Sequence, residues 1–346
     1  MRALQGTTIR QLTPVFIFLA SSSLALLAAA ERTFTFSLPD SIVLFGVYND
    51  LRVVGRDGER MLRPPINVGY NGGYFARPSL SPRGDAIAWG FAVDWQERRR
   101  TDRARFSLGV YSLTDQKWRT FGDFDDIGTT AYSSSASRIA FVARESGRQQ
   151  LLIFDVARET WAAAPYPTGG LRTGAALSWS PDDKRLAVEV QRAGLPYSPQ
   201  MSKADADRNA VIAVMDLETG NVRLLGEGRD PMWSPDGQWI AYYDPGGAKC
   251  LLVHADGTGL KIVKTLRQSF FSYSSFIWGG PVWSPNSQQL LVTVSAGESY
   301  VDLMLLDLRT GRTTVKLRKG YPVYGWARSP DGRGIHDGAL ALQPFR

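Results

Sequence analysis

The side chains that most often carry catalysis are scarce in this sequence. His254 and His336 are its two histidines and Cys250 its one cysteine. Neither histidine has a partner at metal-ligand spacing, and no H-E-x-x-H, C-x-x-C or Gly-x-Ser-x-Gly pattern occurs. The reading is no catalytic residue, no metal and no cofactor. Asp123, Asp125 and Asp126 could hold Ca²⁺ together with carbonyls. They lack an ordered loop pattern and read better as a solvated link.

Binding chemistry is better represented. Arg98, Arg99, Arg100, Arg103 and Arg105 crowd one short segment. Planar guanidinium groups grip carboxylate or phosphate through paired hydrogen bonds, although Glu97 and Asp102 partly balance this cluster. Phe270, Phe271, Tyr273, Phe276 and Trp278 make a second segment aromatic-rich, a composition found at interface anchors and also in packing between elements. Tyr197 sits in a third, within Leu195-Pro196-Tyr197-Ser198-Pro199, stiffened by its prolines.

Charge and the N-terminus bound the partners. The formal charge is +7 over 346 residues; Arg2 and Arg10 lie in the first 30, leaving a mild +5 on the rest. Such an excess favours acidic partners but is not a nucleic-acid footprint, and no RNP-type or zinc-finger spacing occurs. Residues 1–30 read as a signal peptide, with a basic start, an apolar stretch at 15–27 and Ala28-Ala29-Ala30 as a small-residue cleavage site. An uncleaved membrane anchor is the alternative. The expected location is periplasmic or extracellular, with membrane contact only through this segment. Residues 31–346 read as one domain.

The elements that must position these residues come from a repeat. Ser81-Pro82-Arg83-Gly84, Ser180-Pro181-Asp182-Asp183, Ser234-Pro235-Asp236-Gly237, Ser284-Pro285-Asn286-Ser287 and Ser329-Pro330-Asp331-Gly332 recur, with Ser134-Ser135-Ala136-Ser137 as a degenerate sixth copy. Pro presets the first central turn position, Asp or Asn suits the next, and Gly accepts the left-handed conformation that follows. Short apolar strands enter and leave each turn, and a second hairpin follows, as at Glu218-Thr219-Gly220 and Arg309-Thr310-Gly311. Four strands in about 50 residues, repeated about six times, is the arithmetic of a β-propeller.

Trp233-Ser234-Pro235-Asp236-Gly237-Gln238-Trp239-Ile240-Ala241-Tyr242 resembles the WD40-like PD40 repeat of the TolB family. The resemblance spans about 42–332 and implies an all-β, six-bladed propeller. A seventh blade stays open, because Leu38-Pro39-Asp40-Ser41 also reads as a turn. For six blades the two ends share one, with 51–54 and 60–62 as its outer strands and 323–327 as its innermost. Both 42–47 and 339–345 compete for its second strand.

In such a ring the Ser-Pro and Thr-Gly turns fall on one end. The long links near 94–105, 191–209 and 267–280 fall on the other, the expected binding face. Arg77, Arg172, Arg229, Asp230 and Tyr324, read as lying just before innermost strands, are expected at the channel mouth, where they suit a peptide terminus, a small anion or the water-bridged lining of a polar tunnel. The function expected is a monomeric, non-enzymatic scaffold binding a protein, peptide or cell-surface ligand. A propeller hydrolase or lactonase-like enzyme with a channel site is the alternative.

Overall fold

The computed structural model describes residues 41–47, 50–55, 58–62, 77–93, 105–165, 175–192, 209–266, 279–295, 301–320 and 323–328. These contain strands and no helix. No helix among them is therefore long and apolar enough to cross a membrane. The signal segment expected at 1–30 lies outside the described residues.

Short β-branched and aromatic runs bounded by turns give 24 strands. The first three are β1 (Ser41–Val47), β2 (Asp50–Gly55) and β3 (Gly58–Leu62). The second blade holds β4 (Ser79–Leu80), β5 (Ala86–Ala92), β6 (Phe106–Ser112) and β7 (Trp118–Phe124). The third holds β8 (Asp126–Tyr132), β9 (Arg138–Glu145), β10 (Arg148–Asp155) and β11 (Thr160–Ala163). The fourth holds β12 (Leu177–Trp179), β13 (Arg185–Gln191), β14 (Ala210–Asp216) and β15 (Val222–Glu227). The fifth holds β16 (Arg229–Trp233), β17 (Ile240–Tyr243), β18 (Lys249–Val253) and β19 (Lys261–Thr265). The sixth holds β20 (Val282–Trp283), β21 (Gln289–Ser295), β22 (Val301–Asp307) and β23 (Thr313–Gly320), followed by β24 (Val323–Arg328).

Every sheet is antiparallel and four-stranded, and one joins the two ends in the order β24-β1-β2-β3. The contest for its second strand goes to Ser41–Val47, paired with β24 from Ser41 opposite Arg328 to Phe45 opposite Val323. Residues 339–345 and the Leu38-Pro39-Asp40 turn lie outside the described residues. The inner strands touch in the cycle β24, β4, β8, β12, β16, β20 and back to β24. Within the described residues the ring is closed, which leaves no inner edge open.

The Ser-Pro turn works as a small hydrogen-bonded machine. Ser81, Ser180, Ser234 and Ser284 are buried, and the N–H of each donates to the carbonyl five residues on; in the last three the Oγ also accepts that residue's N–H, as Ser234 does with Trp239 at 2.8 and 2.9 Å. Ser234 Oγ donates to Asp236 at 2.6 Å, and the carboxylate accepts the Gln238 N–H at 3.0 Å. Asn286 repeats this below Ser284 at 2.7 Å. The same pattern corrects the degenerate copy by one residue. Ser133, not Ser134, is the turn serine, since its N–H bonds Arg138 O and its Oγ accepts the Arg138 N–H. Ala136 then takes the left-handed position, at φ 61° against 77° for Gly237. An L-residue in that conformation loses about 1 kcal/mol. Ala136→Gly is therefore expected to raise the urea midpoint by a corresponding amount, and a lowered midpoint would contradict the register.

Neighbouring turns also bond to each other. Asp183 accepts the Ser134 N–H at 2.6 Å and the Ser135 N–H at 3.3 Å, and Ser287 Oγ accepts the Asp236 N–H at 3.0 Å. Arg138 and Arg185 lie over Trp179 and Trp233 of the following blades. The second hairpins end in Asp-Thr turns on the same face. There the Thr219 backbone N–H, then its hydroxyl, holds the Asp216 carboxyl below the ordinary carboxylate range, and the Thr310 hydroxyl, then its N–H, does so for Asp307. This end of the ring is occupied by its own hydrogen bonds.

Candidate functional site at the channel mouth

Along the axis runs a cavity of about 400 Å³, lined by all six inner strands. Leu80, Leu177, Met232, Val282 and Val323 give it apolar walls, and Pro82, Pro181 and Pro235 of the turns rim one end. The other end carries the charge. Arg77, at the head of the second blade, forms an ion pair with Asp230 of the fifth. Its carbonyl accepts the N–H of Thr130 at 3.1 Å, which ties it to the third blade.

Asp230 is aimed by its backbone. It has φ 60°, and the pairing of β16 with β17 shifts between Arg229 and Met232. Such an irregularity re-aims a side chain, here into the channel. Gly280 completes the fit, because a Cβ there would lie 3.0 Å from the Asp230 carbonyl oxygen. Asp230 is buried, with its N–H donating to Glu189 Oε2 at 3.2 Å and its Oδ2 3.7 Å from the Arg229 guanidinium. Two bases and two acids thus meet in one buried group.

Burial alone would lower the pKa of Arg77; the Asp230 carboxylate and its hydrogen bond outweigh it and hold the group above its ordinary value. Burial pushes the Tyr324 hydroxyl up to about 12, with Arg77 pulling in the opposite sense. Arg77 is the solvent-facing member, 19% exposed against 2% for Asp230.

No protein-family model matches the chain. Among curated proteins, the Tol-Pal system protein TolB of Alcanivorax borkumensis is 33% identical over 102 residues, which is 29% of this chain and 20% of that protein. The uncharacterized peptidase YuxL of Bacillus subtilis is 28% identical over 161 residues, 42% of this chain and 23% of that one. The matched stretches therefore span under a quarter of either relative. TolB from Acinetobacter baumannii superposes with a TM-score of 0.58 at 17% identity, over 83% of this chain and 66% of its own. A putative TolB from Agrobacterium tumefaciens gives 0.52 at 19% identity, over 87% and 98%. The chain has the TolB-like β-propeller fold. A chain of a nidogen/laminin complex also shares it, with a TM-score of 0.54 at 12% identity over 83% and 97%.

On this propeller the residues expected at the mouth separate cleanly. Arg77, Arg229, Asp230 and Tyr324 meet there, and Arg172 lies outside the described residues. Glu189 was not anticipated. Its signal is a lone acid inside the apolar run Leu186-Ala187-Val188-Glu189-Val190, which a strand buries only with partners. Among the binding-face candidates, Arg98, Arg99, Arg100, Arg103, Tyr197, Phe270, Phe271, Tyr273, Phe276 and Trp278 lie outside the described residues. Arg105 is described. It is half-exposed and forms an ion pair with Asp123 across its own blade.

The acidic cluster at the junction of the second and third blades is dispersed. Asp123 pairs with Arg105, Asp125 accepts the Gly147 N–H at 3.1 Å, and Asp126 lies 3.7 Å from Arg144. Among the described residues no three His, Cys, Asp or Glu side chains are grouped to hold a metal. His254 stacks on Trp239 at 3.8 Å between ring centres, with Nδ1 2.7 Å from the Gln238 carbonyl oxygen. Cys250 is buried, its thiol pushed up to about 12 by that burial, which suits packing rather than nucleophilic chemistry. His336 lies outside the described residues.

Proposed function

We propose that this chain is an exported propeller scaffold, not an enzyme, that binds a protein, peptide or cell-surface ligand on the face bearing its long links. The observation that carries this reading is the difference between the two ends of the ring. Among the described residues, the turn end carries bonds between neighbouring blades. The mouth end holds a charged group beside a cavity, with Arg77 reaching solvent. A rigid ring presenting variable links is how scaffolds separate stability from recognition. The mild positive charge and the Arg98–Arg103 segment favour an acidic partner, and export follows from the leader at 1–30. Proteins that share this fold include a TolB and a chain of a nidogen/laminin complex.

The test is affinity capture from an envelope extract with the full chain as bait and mass spectrometry as readout. A stoichiometric protein partner released by salt is the expected result, since the Debye length that limits exposed charge contacts falls from about 8 Å at physiological salt to about 3 Å at 1 M. Arg98→Ser, Arg99→Ser and Arg100→Ser together are expected to weaken that capture several-fold. Stability should stay within about 0.5 kcal/mol, the scale of surface substitutions. Capture at unchanged strength removes this segment from the site. A blank capture turns weight to the hydrolase or lactonase-like alternative in the channel.

A further inference from the structure

Arg77 and Asp230 belong to the second and fifth blades, which stand opposite each other in the cycle of six inner strands. Their ion pair therefore spans the mouth as a bar across the ring. A carboxylate already occupies the guanidinium at the centre of the mouth, and the apolar cavity lies behind it. We propose that the cavity is a binding site for amphipathic carboxylates. Arg77 takes the acid group, the apolar walls take the body of the ligand, and Asp230 is the built-in competitor. This rests on the reading that the mouth end is the recognition end.

Four observations support the assignment. Asp230 holds a left-handed backbone within an irregular inner strand, the arrangement that turns its carboxylate into the channel. Exchange does not strand it, because Arg229 stands 3.7 Å from its second oxygen and Glu189 holds its N–H. Arg77 is the partner open to solvent, so an arriving acid meets a fork that can bind it through two hydrogen bonds. The cavity, at about 400 Å³, falls in the range of about 300–1,000 Å³ usual for small-ligand sites.

Charge balance sets the strength. Among the described residues of this group, Arg77 and Arg229 are matched by Asp230 and Glu189, so an added carboxylate leaves one negative charge in excess. The unaltered protein is thus a weak receptor, roughly millimolar. Neutralising Asp230 removes both the competitor and the excess. Asn is the suitable replacement, since it keeps the shape and tolerates the left-handed backbone.

The experiment titrates full-length protein with 3-phenylpropionate, following heat and tryptophan fluorescence, with 3-phenylpropionamide as the neutral control. Asp230→Asn is expected to bind the acid at least about tenfold more tightly than wild type, the scale on which one buried charge pair alters affinity. The amide should not bind, and Arg77→Met should abolish binding. A tetrapeptide ending in phenylalanine, free and C-terminally amidated, identifies the source. Binding of the free peptide as tightly as the small acid marks a chain end; binding of the small acid alone marks a free carboxylic acid.

Equal binding of the amide, no tightening in Asp230→Asn, or full binding in Arg77→Met overturns the assignment. If Asp230→Asn does not fold, wild type against Arg77→Met decides, and an absence of saturable binding to wild type rejects the site. Partner capture without carboxylate binding rejects the cavity alone. Carboxylate binding with capture unaffected by the Arg98, Arg99 and Arg100 substitutions rejects the loop segment alone.

Discussion

Trp283→Ala is expected to lower the unfolding free energy by about 3–5 kcal/mol, the usual loss for an aromatic deleted from a core. Trp283 ends the two-residue strand β20 and is 3% exposed. It packs in one cluster with Tyr243, Cys250 and Leu252 of the fifth blade and with Leu290 and Val292 of its own. Its indole N–H also donates to the Met232 carbonyl of the preceding blade at 2.9 Å. The residue is therefore a rivet between blades, and the same bond recurs between Trp179 and Ala131 at 2.9 Å. Trp283→Phe separates the two contributions. It keeps most of the buried area and loses only the hydrogen bond, so about 1–2 kcal/mol should go. Urea unfolding followed by circular dichroism measures both variants. If Phe costs as much as Ala, the hydrogen bond rather than the packing joins the blades. If Ala costs nothing, the rivet is not one.

The fold was legible because it repeats. Each Ser-Pro turn has a local chemical reason for its residues, and five of six copies are intact enough to show it. The sixth was misplaced by one residue because Ser133-Ser134-Ser135 offers three candidates, and hydrogen bonding alone singles out Ser133. Ring closure was harder to read, since pairing between chain ends leaves no local mark; the register of β1 on β24 decides it. Short inner strands hide a further device. β20 pairs with β21 only at Leu290 and Leu291, so Tyr243 of the neighbouring blade reaches over to accept the Thr293 N–H at 3.1 Å. Thr130 likewise donates to the Ala88 carbonyl at 2.9 Å. Neither tie follows from a sequence period.

The mouth was legible as a place and not as a network. Arg77, Arg229 and Asp230 were sought just before inner strands, whereas the pairing of Arg77 with Asp230 depends on two blades facing each other across the ring. No spacing along the chain encodes that opposition. Glu189 escaped for a related reason. It lies mid-strand on the fourth blade and joins the group only because β13 passes beside the irregular start of β16.

That network makes Asp230→Ala the second variant with a large expected effect. Breaking a buried charge pair by removing one partner costs about 3–5 kcal/mol, because the remaining charge is left in a poorly solvating place. Here Arg77 and Arg229 would both lose the Asp230 carboxylate. Arg77→Met should cost less, about 1–3 kcal/mol, since Asp230 keeps Arg229 and the Glu189 contact while the apolar stem of residue 77 is retained. The double variant should lose less than the sum of the two, and that shortfall measures the bar across the channel. Additive losses would mean the two side chains act independently despite their contact. The exposed Arg105–Asp123 pair provides the contrast. Its coupling should fade as salt is raised, whereas the coupling across the mouth should persist, because screening acts far less on buried charges. A mouth held by charge that salt does not reach is one that only a ligand with its own well-placed charge can open.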